Sequence, residues 1–309
     1  VVCGAPRQVA LARPDVREVS VYVEKHIRNP FELVLEKFSW AVADAGEVAV
    51  KPHVLATQAA PVIRRIGMRD LWDALREGMG DLGAVRADVL FIGLVYPLAG
   101  LVLARLMFND NLLPLVFPLV AGFTLLGPVA AVGLYEISRR REQGLHATWA
   151  DAFGVVRSPA LSSILWLGSL LLGLFVLWLV AAFGIYLATL GPTPPASLGV
   201  FVHDVFLTVP GWAMIVAGMG VGFLFAVAAL AISVVSFPLL LDRNVGMPTA
   251  IATSVRAVLM NPGPMAVWGL IVAGGLALGS VPALLGLIFV MPLFGHATWR
   301  LYRKVIAPA

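Results

Sequence analysis

Charge is what this chain of 309 residues has least of. Asp, Glu, Lys and Arg together make up 13%, about half the share of an ordinary soluble domain. With 60% hydrophobic residues and a mean hydropathy of +0.90, that scarcity excludes a water-dissolved globular enzyme and a disordered chain. Cysteine is nearly absent: the single thiol, Cys3, excludes an intrachain disulfide and a thiolate cluster for zinc or iron–sulfur. Histidine is scarce as well. Of His26, His53, His146, His203 and His296, only His296 falls in a long apolar run. A haem-bearing oxidase core needs several histidines projecting from its spans, so a haem held by two histidines of this chain is excluded. No phosphate-cradling glycine loop, nucleophile elbow or zincin helix is present, and no cofactor is expected. The pI near 9.5 does not point to nucleic acid, because the basic residues form no single patch and recur beside the ends of apolar runs. The chain starts at Val1 without a methionine, which reads as a fragment or a processed product, and nothing near its start has the residue order of a signal peptide.

What is there is oily and segmented. Residues 1–86 hold 12 Lys/Arg and 11 Asp/Glu, against 10 and 7 in residues 87–309. Residues 1–60 read as a cytoplasmic appendage or linker, with VSVYVEK (19–25) alternating like a strand and an amphipathic helix beginning at Pro30. Residues 61–309 read as an integral membrane domain. A span needs about 20 apolar residues to cross about 30 Å of hydrocarbon. Six stretches qualify: 88–107, 112–138, 161–189, 212–241, 264–280 and 282–302. Fourteen of the fifteen Lys/Arg from Arg64 onward fall on one side of that path, Arg105 being the exception. By the positive-inside rule both termini are then cytoplasmic.

Internal similarity divides the path into three. Aligning Gly144 with Gly246 sets Arg141 on Arg243, Ala150 on Ala252 and Val156 on Val258; one inserted residue then brings Pro159 onto Pro262. The stretch before the first span follows the same plan from Gly67. Each copy carries an apolar set at helical spacing: Trp72, Leu75 and Met79; Trp149, Phe153 and Val156; Ile251, Val255 and Val258. The opposite faces carry Arg69, Asp73, Arg76 and Glu77, then Asp151, then Thr253 and Arg256. The expected fold is all-α: a polytopic bundle of six transmembrane helices arranged as three hairpins, each preceded by a short interfacial amphipathic helix. Pro97, Pro118, Pro128, Pro238 and Pro292 predict kinks within the spans. The outer stretch 198–211 reads as a cap on the periplasmic surface.

The stretches PVIRRIGMRDLWDALREGMGDL (61–82), LLGPVAAVGLYEISRRREQG (125–144), AISVVSFPLLLDRNVGMPTAIATSVRAV (231–258) and GHATWRLYRKV (295–305) occur in that order. They resemble the bacterial predicted integral membrane proteins of the domain-of-unknown-function 2189 (DUF2189) family, over about residues 60–305. The resemblance implies a multi-pass membrane protein and no assigned activity. Some members carry cytochrome c oxidase labels; the histidine count allows only an accessory or assembly link to such a complex.

Ionisable groups inside a membrane are the default functional candidates. Glu136 lies about one turn inside its border with Arg139 and Arg140 at i+3 and i+4, a spacing that suits a local ion pair. Asp242 and Arg243 read the same way. Arg139, Arg140 and Arg141 are the densest basic cluster, suited to marking topology and to contacting anionic lipid headgroups. His296 reads as an interfacial or helix-packing residue. Gly218 and Gly222, and Gly275 and Gly279, form small-residue stripes that allow close helix approach within the bundle or across a homo-oligomer. No run of ionisable groups at mid-depth marks a proton or ion pathway. The expected role is non-enzymatic: a scaffold or accessory subunit of a membrane complex, or a lipid-interacting protein. Its expected partners are membrane lipids and a membrane protein or a second copy. The alternative is a transporter or channel for a small uncharged substrate through the kinked bundle.

Overall fold

The computed structural model describes residues 61–84, 98, 100–102, 105, 113–145, 147–282 and 284–308. The appendage read into residues 1–60, most of the stretch 88–107, Pro97 and His26, His53 and His146 lie outside the described residues. Among the described residues every regular element is helical: α1 (Met68–Ala84), α2 (Leu113–Phe123), α3 (Gly127–Ala130), α4 (Val132–Glu142), α5 (Leu161–Thr189), α6 (Leu198–Leu207), α7 (Val209–Ser233), α8 (Ser236–Asp242), α9 (Met247–Met260), α10 (Pro262–Ser280) and α11 (Leu287–Val305). Two 3-10 segments, Thr124–Leu126 and Trp149–Arg157, complete them.

Among the described residues three helices are long and apolar enough to cross a membrane: α5 with 29 residues, the run Val209–Asp242 with 34, and α10 with 19. At 1.5 Å per residue α5 is about 43 Å long, more than the hydrocarbon thickness. Its inward stripe is Ile164, Leu167, Leu171, Phe175, Trp178, Ala182 and Tyr186, a three-four spacing. The rest of its circumference leaves Leu165, Leu172, Val176, Leu177, Val180 and Phe183 between 42% and 62% exposed. In water, each such half-exposed side chain forgoes about 1 kcal/mol of burial. Six on one helix approach the whole net stability of a domain, about 5–15 kcal/mol. Lipid tails remove that cost.

The remaining stretches differ from the six-span expectation. Residues 113–142 are helical but interrupted at Thr124–Leu126, just before Pro128, which has no N–H to continue the ladder of α2. The last stretch begins its helix at Leu287 rather than 282, after a turn in which Leu284 takes φ 68°. It carries Arg300, Arg303 and Lys304 in its final turns, which shortens its apolar part. The kink expected of Pro238 falls at Val234–Val235, where the carbonyl four residues before the proline loses its ladder partner. Ser254 of α9 accepts the Val235 N–H there at 3.2 Å.

Close helix approach sits where the sequence has no room for a side chain. A Cβ on Gly122 would lie 2.5–2.8 Å from the rings of Trp178 and Phe175, so α2 packs tightly on α5, and Trp178 Nε1 donates to the Pro118 carbonyl at 2.8 Å. Gly275 lies under the Phe294 ring, and Gly279 faces the backbone of Gly286. Gly222 faces the Trp178 ring, whereas a Cβ on Gly218 would meet nothing within 4 Å. α6 packs on α7 and buries Val205, while Leu198 and Val202 stay exposed.

The three amphipathic copies take different forms. The first and third are α-helices, α1 and α9; the second is the 3-10 segment Trp149–Arg157. The faces they turn to the bundle are largely not those of the apolar sets. α1 buries Leu71, Ala74, Gly78 and Asp81, and leaves Trp72 and Met79 exposed. α9 buries Ala250, Thr253, Ser254 and Ala257, so Thr253 lies on the inner side. Phe153 and Val156 are exposed, and Val155 is the buried residue of its segment. In α1 and α9 most of the residues that face the bundle are small or polar, and backbone closeness and hydrogen bonds contribute to the contact. Gly144 and Gly246, aligned in the sequence, take φ 75° and φ 76°, a left-handed conformation that glycine adopts without strain.

Candidate functional site: a charged layer with a basic cleft

The charged side chains expected at helix ends do not simply face water. They interlock. Asp81, 4% exposed, receives Arg300 Nε and Nη2 at 2.8 and 2.9 Å and stands 3.0 Å from Arg141, whose Nη1 also donates to the Asp81 carbonyl at 2.7 Å. Those contacts join α1, α4 and α11. α1 is seated by the Gly78–Ala297 approach, with Lys304 pairing Glu77 at 3.0 Å further out. A second group joins α4, α8 and α11. Glu142 accepts from Trp299 Nε1 at 3.1 Å and Arg303 Nε at 2.9 Å, and Asp242 accepts from Tyr302 Oη at 2.6 Å and Arg303 Nη1 at 3.3 Å. Arg243 lies 3.6 Å from Asp242 and donates to the Ala307 carbonyl.

The third group is the pair read from i+3 and i+4 spacing. Glu136, 3% exposed, accepts from Arg139 Nε and Nη2 at 2.8 and 3.0 Å and from Arg140 Nε at 2.8 Å. Arg140 reaches on to Asp151 at 2.6 Å, and the bond to Glu136 raises its pKa against the opposing effect of burial. Asp151 closes a capping box with Thr148. The Thr148 backbone N–H and hydroxyl, with Arg140 adding less, hold the Asp151 carboxyl below the usual carboxylate range.

Between these groups opens a cleft of about 410 Å³. Arg139, Arg140, Arg157 and Arg243 line it, with Glu136 and Asp242 as its carboxylates. Four cations against two anions leave a surplus of two positive charges. Ser158, Ala160 and Asn244 line the wall beside the start of α5, and the absence of a side chain at Gly154 leaves room for the Arg140 guanidinium. Of the seven polar candidates in the sequence, five meet here: Glu136, Arg139, Arg140, Asp242 and Arg243. Arg141 turns away to Asp81. His296 is fully buried between α4 and α11, with Nδ1 2.7 Å from Ser138 Oγ and Nε2 without a hydrogen-bond partner among the described residues. Sequence reasoning missed Asn261 as well, whose side chain accepts the Ile66 N–H at 2.8 Å and donates to the Arg64 carbonyl at 3.2 Å. It also gave Asp81 no role, although Leu71, Ala74, Gly78 and Asp81 fall on one helical stripe.

Among the described residues no group of three or more His, Cys, Asp or Glu is placed to hold a metal ion. No curated protein and no solved structure matches the chain. The sequence profile of one family does match, over α4, α5 and α7 and all the charged residues of the cleft but Arg243. That family, whose model matches residues 116–242, is described as predicted integral membrane protein (DUF2189).

Proposed function

We propose that the chain is a non-catalytic scaffold of a bacterial inner membrane, crossing it six times as three hairpins with both termini cytoplasmic. Its charged end is a rigid plate in the cytoplasmic headgroup layer, on which a membrane-protein partner or lipid is held. The observation that carries this reading is the interlocked charge: Asp81, Arg141 and Arg300, then Glu142, Asp242 and Arg303, tie the ends of α1, α4, α8 and α11 into one layer. Charges that must move to pass a substrate or a proton are seldom committed to several bonds each. The three-unit plan is supported by how the copies dock. The segment Trp149–Arg157 packs on α4 before it, α9 packs on α7 and α8 before it, and α1 packs on the last helix, α11, as if the series closed on itself.

Purification of the full chain in mild detergent tests the role. A scaffold comes out with a stoichiometric membrane-protein partner. An isolated monomer whose melting temperature rises with a small uncharged solute contradicts it and favours a transporter.

A further inference from the structure

We infer that the cleft between α4, α8 and the start of α5 is a binding site for one phosphate-bearing anion, in the first place the headgroup of an anionic phospholipid. The inference rests on the headgroup-layer placement proposed above, but on its own side chains. Glu136 is covered, and both its oxygens are taken by Arg139 and Arg140. It therefore fixes the two guanidinium planes rather than repelling a ligand, leaving Arg139 Nη1 and Arg140 Nη2 without a bond in the network. Arg157 lines the cleft, is exposed and has no hydrogen bond or ion pair among the described residues. Arg243 is largely covered, and its Nε has no hydrogen-bond partner among the described residues. Four arginines from three separate stretches thus converge with donors to spare, and Asn244 and Ser158 add neutral polar groups on the wall. Guanidinium groups match phosphate oxygens two by two. The volume of about 410 Å³ takes a phosphate with its glycerol linkage. A basic cluster beside a span favours anionic over zwitterionic lipid.

The test uses the full chain in neutral detergent, titrated calorimetrically with dioctanoyl phosphatidic acid, dioctanoyl phosphatidylcholine and inorganic phosphate. The expected result is saturable one-to-one binding of phosphatidic acid and none of phosphatidylcholine. Arg157→Gln, which breaks no contact among the described residues, weakens that binding about tenfold, the loss of one charge-assisted contact. Arg256→Gln, an exposed arginine outside this cleft, leaves it unchanged. Inorganic phosphate binding as tightly as phosphatidic acid, and equally sensitive to Arg157→Gln, supports the site and assigns it to a soluble anion. No saturable binding of either anionic probe overturns the inference, and so does equal weakening by Arg157→Gln and Arg256→Gln, which marks diffuse surface charge. Failure here leaves partner co-purification untouched, so the two readings fail separately.

Discussion

Replacing Asp81 by Asn keeps the shape of the side chain and removes its charge. In the native layer Asp81 holds Arg300 through two hydrogen bonds and stands 3.0 Å from Arg141. Arg300 has one other acid within ion-pair distance among the described residues, Glu77 at 4.0 Å, and Arg141 keeps its bond to the Asp81 carbonyl. Stripping one partner from a buried ion pair costs about 3–5 kcal/mol. The two arginines retain 21% and 26% side-chain exposure, so water recovers part of their solvation and about 2–3 kcal/mol is expected. The double change Asp81→Asn with Arg300→Gln should then cost less than the sum of the single changes by about 1 kcal/mol or more. Glu77→Gln, which removes an exposed pair, should cost under about 1 kcal/mol. Unfolding in rising dodecyl sulfate, followed by tryptophan fluorescence, measures all three. A loss below about 0.5 kcal/mol for Asp81→Asn, the range of ordinary surface changes, would refute the view that these charges are locked across helices.

Two further outcomes can be stated. A Cβ on Gly78 would lie 2.7 Å from the backbone of Ala297, whereas one on Gly218 meets open space. Gly78→Ala should therefore destabilise by about 1–3 kcal/mol through overpacking, while Gly218→Ala gains up to about 1 kcal/mol of helix propensity; the same unfolding assay reads both signs. Because the folded Asp151 carboxyl titrates below its unfolded value, its contribution is present above about pH 4 and fades as pH falls through the folded value. Amide protection in residues 149–157 should drop in that acid range, and Asp151→Asn should abolish the pH step.

The parts of the molecule legible in sequence were those decided locally. The apolar helix over 161–189, the break before Pro238, and the Glu136–Arg139–Arg140 cluster all follow from residues within a single stretch of chain. The misread parts depend on distant partners. Trp72, Leu75 and Met79 stood out as the apolar face of an interfacial α1, and Trp72 and Met79 are exposed, but the face turned to the bundle, Leu71, Ala74, Gly78 and Asp81, was not singled out. The true inner face is chosen by Ala297 and Arg300, more than two hundred residues on. Thr253 looked solvent-facing because its hydroxyl is polar, yet it donates to the Thr249 carbonyl within its own helix and so can turn inward. At the cleft the arginine triplet splits. Arg141 is drawn off by Asp81, and Arg157 and Asn244 take its place in the cleft.

Fusion of a phosphatase that works only in the periplasm tests the central claim, that α5 crosses the membrane with its arginine-bordered start in the cytoplasm. Fused after Pro195, beyond the end of α5, the enzyme should be active; fused after Gln143, at the end of α4, it should be silent. Activity after Gln143 with silence after Pro195 would reverse the orientation, and equal activity at both would contradict a crossing by α5 altogether.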